Sequence, residues 1–154
     1  SKLKNVRTYI QSGNLIFESN LDSEKITDEI ATKIEKALGF TVGVIVRSQR
    51  ELEKVIQKNP FLKTPDVDVT KLHVTFLDRK PKKTDSKQIR VKSGKDYYHL
   101  AGREIYLYCP GGYGKTKLNN TFFEKKLAVV ATTRNWNSVS KLWEMCSNSS
   151  SFFL

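Results

Sequence analysis

The 154-residue sequence predicts an α+β fold with mainly antiparallel sheets. Three observations lead there. β-branched and aromatic residues alternate with polar ones over short runs, the pattern of half-buried strands. Between those runs, apolar residues recur every third or fourth position, the pattern of helices with one buried stripe. The segments then follow one another twice in nearly one order, β-β-α-β-α and β-(α)-β-β-α-β-α.

Residues 6–10 and 15–18 are β-rich and flank Gln11, Ser12, Gly13 and Asn14, which predicts a hairpin. Gln11, Ser12 and Asn14 either close its turn or face a ligand. Ile26, Ile30, Ile34 and Leu38 line one side of a helix that Gly39 is placed to end. Val42, Val44 and Val46 alternate in a strand ending at Arg47. Ser48 and Glu51 have capping-box spacing for a helix through Leu52, Val55 and Ile56, stopped at Asn59-Pro60. Leu72, Val74 and Phe76 mark the next strand. The lysine-rich residues 79–95 leave room for a short helix at 85–91. Residues 97–100 and 103–109 form a second hairpin around Gly102. A helix at about 117–127, whose start Thr121 and Glu124 leave open as an internal cap signal, a strand at 129–133 and a last helix capped by Asn137 follow, and residues 148–154 read as a tail that is loose apart from any docking by Phe152 and Phe153.

The second part has the order of the ferredoxin-like, split βαβ plan, and the first is that plan without its opening strand and helix. The expected organisation is an incomplete N-terminal half with its following helix (1–60), a linker (61–70), a C-terminal half with its final helix (71–147) and the tail (148–154).

Charge narrows the function. Lys and Arg total 27 against 16 Asp and Glu, a net +11, which favours either polyanionic partners or simple solubility. No apolar run reaches the ~20 residues of a membrane span, and no secretory leader is evident. Cys109 and Cys146 lack C-x-x-C spacing, so two reduced thiols and a cytoplasmic location are expected, with no metal and no cofactor.

Residues 111–116 end in Gly-Lys-Thr between a strand and a helix, yet a phosphate-binding P-loop needs glycine where Cys109 stands. Two readings stay open. One is an anion nest built from Gly112, Gly114, Lys115, Thr116 and Lys117; the other is a plain strand-to-helix turn. Arg134, Asn135 and Asn137 repeat the strand-to-helix arrangement and are expected to share the nest's cleft. Tyr106 and Tyr108, with His73 and Thr75 on the neighbouring strand, are expected on the sheet face away from the helices. That face is either an RNA-stacking surface or a buried layer. His73 and His99 have no catalytic partner at motif spacing.

Residues 8–14 (Thr-Tyr-Ile-Gln-Ser-Gly-Asn), 102–106, 117–119 and 132–137 together resemble the bacterial family catalogued as domain of unknown function 1697, over essentially the whole chain. The resemblance implies a bacterial cytosolic protein of two ferredoxin-like halves and brings no established activity. The family's usual opening strand and its glycine-rich loop are missing here. The function expected is binding of a phosphate-bearing ligand, nucleic acid first. The alternatives are an enzyme acting on a phosphorylated or nucleotide substrate in the same cleft, and a protein-interaction module.

Overall fold

The computed structural model describes residues 4–9, 14–18, 23–40, 43–82, 89–90, 96–146 and 150–153. Its strands are β1 (Lys4–Tyr9), β2 (Asn14–Glu18), β3 (Ile45–Ser48), β4 (Leu72–Leu77), β5 (Ile89–Arg90), β6 (Tyr97–Ala101), β7 (Glu104–Tyr108), β8 (Ala131–Asn135) and β9 (Ser150–Phe153). Its helices are α1 (Ser23–Leu38), α2 (Gln49–Gln57), α3 (Asn120–Leu127) and α4 (Trp136–Met145). The chain divides into two compact units, residues 1–54 with 140–154 and residues 55–139. This is a mixed α+β protein whose described sheets are antiparallel throughout.

The first unit carries a four-stranded sheet in the order β1-β2-β9-β3. Ile26 and Ile30 of α1 are buried with Val44 and Val46, the expected helical stripe meeting a β-branched run. The stripe leaves the core in the last turn, where Leu38 is 56% exposed. Gly39 ends α1 at φ +77°, its N–H donating to the Glu35 carbonyl at 2.8 Å. Ser48 and Glu51 form the expected capping box at the start of α2, with bonds of 3.1 and 3.3 Å. Arg47, just before it, is 1% exposed, donates to the Val46 carbonyl and approaches Glu51.

The second unit carries a five-stranded sheet in the order β5-β6-β7-β4-β8. Leu77, Leu100, Ile105, Leu107, Cys109 and Ala131 cover one of its faces, and Leu118 and Phe123 pack on them. Gly102, at φ +62°, opens the two-residue β6–β7 loop, where most other residues would be strained. Residues 61–70, which hold Pro65 and follow Pro60, lie in a stretch with 3-10 turns at Pro60–Lys63 and Val69–Lys71. Their caps are Asn59 and Asp68, whose side chains accept from the Phe61 and Thr70 amides.

Several sequence expectations need correction. Ile89–Arg90, expected within a short helix, is a strand paired with Tyr97 and Tyr98, because β6 offers it an open ladder; residues 83–88 and 91–95 lie outside the described residues. α3 begins at Asn120, not near 117, because the Asn119 side chain accepts from the Phe122 amide and fixes the cap there. β8 starts two residues later than its apolar pattern suggests, since the Asp78 carboxylate holds the Val130 amide and sets the register. α4 is capped by Asn135, which accepts from the Ser138 amide at 2.7 Å, and Asn137 stands inside its first turn. In the tail, the docking allowed for Phe152 and Phe153 extends to Ser150 and Ser151. Ser150–Phe153 forms β9, hydrogen-bonded between β2 and β3.

Candidate functional site

β7 and β8 flank β4, each antiparallel to it, so they are parallel to each other and leave the sheet at one end. Tyr108 is opposite Leu72 and Asn135 is opposite His73, which puts residues 110–118 and 135–137 at that end together. The two sequence motifs therefore lie at one end of the sheet. Gly112 adopts φ +97° before a 3-10 turn at Tyr113–Lys115. Many of the turn's donors are used locally: the Gly112 amide by the Cys109 carbonyl, the Thr116 amide by the Tyr113 carbonyl, and the Leu118 amide by Thr116 Oγ1. Thr116 itself is turned inward and donates to Asp96 Oδ2 at 2.7 Å. Gly114, Lys115, Lys117 and Asn137 are exposed.

Alternation separates the remaining residues. His73, Thr75, Thr133 and Asn135 share the face of Ile105 and Leu107, which is the α3 face. This corrects the expectation that His73 and Thr75 face the tyrosine side, because the register pairs them with Leu107 and Ile105 rather than with Tyr106. On the α3 face Thr75, Thr133 and Asn120 form a hydrogen-bonded chain of 2.7 and 2.6 Å. His73 stacks on Tyr113 with ring centroids 4.7 Å apart, and its Nδ1 is buried without a hydrogen-bond partner.

Arg134 and Tyr106 lie on the opposite face, both opposite Val74. Arg134 is half-buried, donating to Thr132 Oγ1 at 2.5 Å and to the Thr133 carbonyl at 3.0 Å. Burial lowers its pKa. Tyr106 is 2% exposed and its hydroxyl donates to the Val55 carbonyl of α2 at 3.0 Å, so it is not open for base stacking. Burial pushes its phenol well above the ordinary range. Tyr108 is half-buried against Phe61 and Tyr97 at 6.0 and 6.2 Å. Asn14 begins β2, while Gln11 and Ser12 lie outside the described residues.

Burial also lowers the pKa of His73 below its ordinary 6.5, and the Lys71 carbonyl opposes the shift. A depressed folded value means the unfolded chain takes up the proton first as pH falls. Stability from neutral His73 is complete above about pH 6.5 and declines below it, down to the folded value. Substituting His73→Gln is expected to flatten this part of the stability–pH curve, measured by urea unfolding at pH 5.5 and 7.5.

The opposite end of the same sheet holds a feature that the sequence only half revealed. Where β4 exits and β8 begins, Arg79, Lys80, Pro81 and Lys82 face residues 126–129 across a cavity of about 300 Å³. Four cations line it. Lys126 is held in place, its Nζ donating to the Tyr98 hydroxyl at 3.2 Å and lying 5.5 Å from the Phe122 ring centre. Arg79 is tied to Asp78 at 3.1 Å. Lys80 and Lys82 are exposed and have no carboxylate partner among the described residues. Residues 79–95 are legible in the sequence as a basic run, but Lys126 stands apart from it there. Only the pairing of Leu77 with Ala131 brings it there.

The thiols offer little chemistry. Cys109 is fully buried and burial pushes its pKa up to about 11, so little reactive thiolate forms near neutral pH. Among the described residues no three of His, Cys, Asp and Glu are grouped to hold a metal ion, and no helix is long and apolar enough to cross a membrane.

A family model described as a protein of unknown function, DUF1697, matches residues 1–106. The chain belongs to that family. The match is narrower than the whole-chain resemblance: it takes in Arg79, Lys80 and Lys82 and ends within β7. The motifs at 117–119 and 132–137, and Lys126, fall beyond it. No match is found among curated proteins or among solved structures.

Proposed function

We propose that this DUF1697 member binds a phosphate-bearing ligand, nucleic acid first, at the basic cavity of its second unit. The supporting observation is the convergence of Arg79, Lys80, Lys82 and Lys126 on one recess. Arg79, whose Nε and Nη2 donate to Asp78, has the rest of its guanidinium for phosphate oxygens, and the lysines contribute point charges that follow a backbone without reading its sequence. The net charge of +11 draws a polyanion toward it. Lys115 and Lys117, exposed at the far end of the sheet, are secondary contacts for a ligand long enough to reach them.

A ferredoxin-like reading of the second unit goes with this. The order β6-β7-β4-β8, with α3 between β7 and β8, supports it. Two buried thiols outside any disulfide support the cytoplasmic location.

The test is fluorescence anisotropy with a labelled duplex at 50 and 200 mM salt. With four phosphates neutralised, log K falls by about 3.6 per decade of salt, which is a loss of ~100-fold over that interval. A mononucleotide competitor separates a nucleotide site from a backbone site. Binding that is absent at 50 mM, or indifferent to salt, contradicts the proposal.

A further inference from the structure

The recess at the exit of β4 is lined by more than charge. Pro81 and Val129 are buried in its walls, Leu127 is half-buried against the core, and exposed Ala128 completes its apolar part. The cations are divided unequally around these residues. Arg79, Lys80 and Lys82 come from the chain leaving β4, and Lys126 comes from α3. A surface that only follows a phosphate backbone needs neither a hollow nor an apolar wall, because the phosphates lie on the outside of a duplex. At about 300 Å³ the hollow is at the small end of pockets that enclose a small molecule. It suits one inserted group, not a length of double helix.

The α3 end of the recess sets an orientation. α3 stops at Ala128, its C-cap, which adopts φ +54°. The carbonyls of a helix's last turn have no intrahelical donors and make that end the electron-rich pole. Residues 127–129 therefore offer apolar surface beside hydrogen-bond acceptors. A phosphate suits such a wall poorly. A nucleobase, flat and carrying N–H donors, suits it well, which leaves the phosphate to the β4 side, where Arg79, Lys80 and Lys82 are exposed. Paired bases are stacked inside a duplex and cannot enter, whereas an unpaired base can be splayed out.

We propose that the recess holds one unpaired nucleotide, with its base against Pro81, Leu127, Ala128 and Val129 and its phosphate on Arg79, Lys80 and Lys82, so that the preferred partner is single-stranded nucleic acid. This rests on the phosphate-site reading and adds the base to it. A duplex still meets the lysines through its backbone but puts nothing into the recess.

Fluorescence anisotropy on the full chain tests it with three labelled probes at equal salt: a short single strand, the same strand made abasic, and its duplex. Charge alone favours the duplex, whose phosphates are packed more densely along its axis. A base in the recess reverses that order. The intact single strand is expected to bind about tenfold more tightly than the duplex or the abasic strand, the lower end of what a stacked base contributes. A nucleoside monophosphate is expected to displace the strand at concentrations where inorganic phosphate does not. If the abasic strand binds as well as the intact one, or the duplex binds at least as tightly, the base pocket is overturned and the phosphate site stands. No binding of any probe at 50 mM salt overturns both.

Ala128→Asn locates the base. Asn takes the left-handed backbone more readily than Ala, so the turn is kept, and its longer polar side chain occupies the recess. The variant is expected to bring the single strand's affinity down to that of the duplex and to leave the duplex's unchanged. Equal loss for both, or for neither, overturns the placement of the base. Urea unfolding checks that the variant is folded, and the abasic comparison on the unaltered chain decides the matter without it.

Discussion

Replacing Phe123 by Ala lowers the stability of the protein by about 3–5 kcal/mol, the largest single effect expected from any substitution in α3. Phe123 is fully buried in the core of the second unit, on the face carrying Leu107, Cys109 and Leu118. Its ring meets Tyr98 edge-on at 5.2 Å and Phe122 at 5.1 Å, so the truncation removes aromatic contacts as well as buried area. Tyr98 also receives the hydrogen bond from Lys126, so the cavity's anchored cation depends on the same packing. Urea unfolding followed by tryptophan fluorescence measures the loss. Lys125→Ala, on the exposed side of α3, is the control and is expected to stay within about 0.5 kcal/mol of the unaltered protein. A similar small change for Phe123→Ala would mean that α3 does not pack on the sheet as described.

The second large effect is on binding. Changing Lys80 and Lys82 together to Ala is expected to halve the salt slope for duplex binding, from about 3.6 to about 1.8, because each neutralised phosphate contributes ~0.9. Affinity at 50 mM salt drops as well. Both lysines are exposed at the mouth of the cavity, so stability is expected to change by no more than about 0.5 kcal/mol. That separates a lost contact from a lost fold. Lys115→Ala with Lys117→Ala, at the other end of the sheet, is expected to leave most of the slope intact. If that pair instead removes it, the glycine-rich loop is the phosphate site.

Much of the local structure was legible because its causes are local. The alternation through Leu72, Val74 and Phe76 gives β4, Gly39 ends α1, and Ser48 with Glu51 caps α2. What was missed depends on pairing between distant segments. Ser150 and Ser151 carry no strand preference, and β9 exists because β2 and β3 present ladder edges to it. The faces of His73 and Thr75 turn on which residue of β7 each opposes, and a one-residue difference reverses every side chain. The cavity was half visible for the same reason. A run of lysines can be seen in a sequence, but Lys126 joins it only once β8 has paired with β4.

The motif that ends Gly-Lys-Thr looks different once its hydrogen bonds are known. Thr116 holds Asp96 and the Leu118 amide, and Asn119 caps α3, so both side chains have structural work at that strand-to-helix turn. At the other end of the sheet Arg79 is tied to Asp78 and Lys126 to Tyr98, while Lys80 and Lys82 have no carboxylate partner among the described residues.

The proposed phosphate site is tested most directly by titrating ¹⁵N-labelled protein with a short duplex and following its amide resonances. The largest shifts are expected at residues 79–82 and 126–129, saturating together. Shifts concentrated at residues 111–117 and 134–137, or none at low salt, would contradict a phosphate site in the basic cavity.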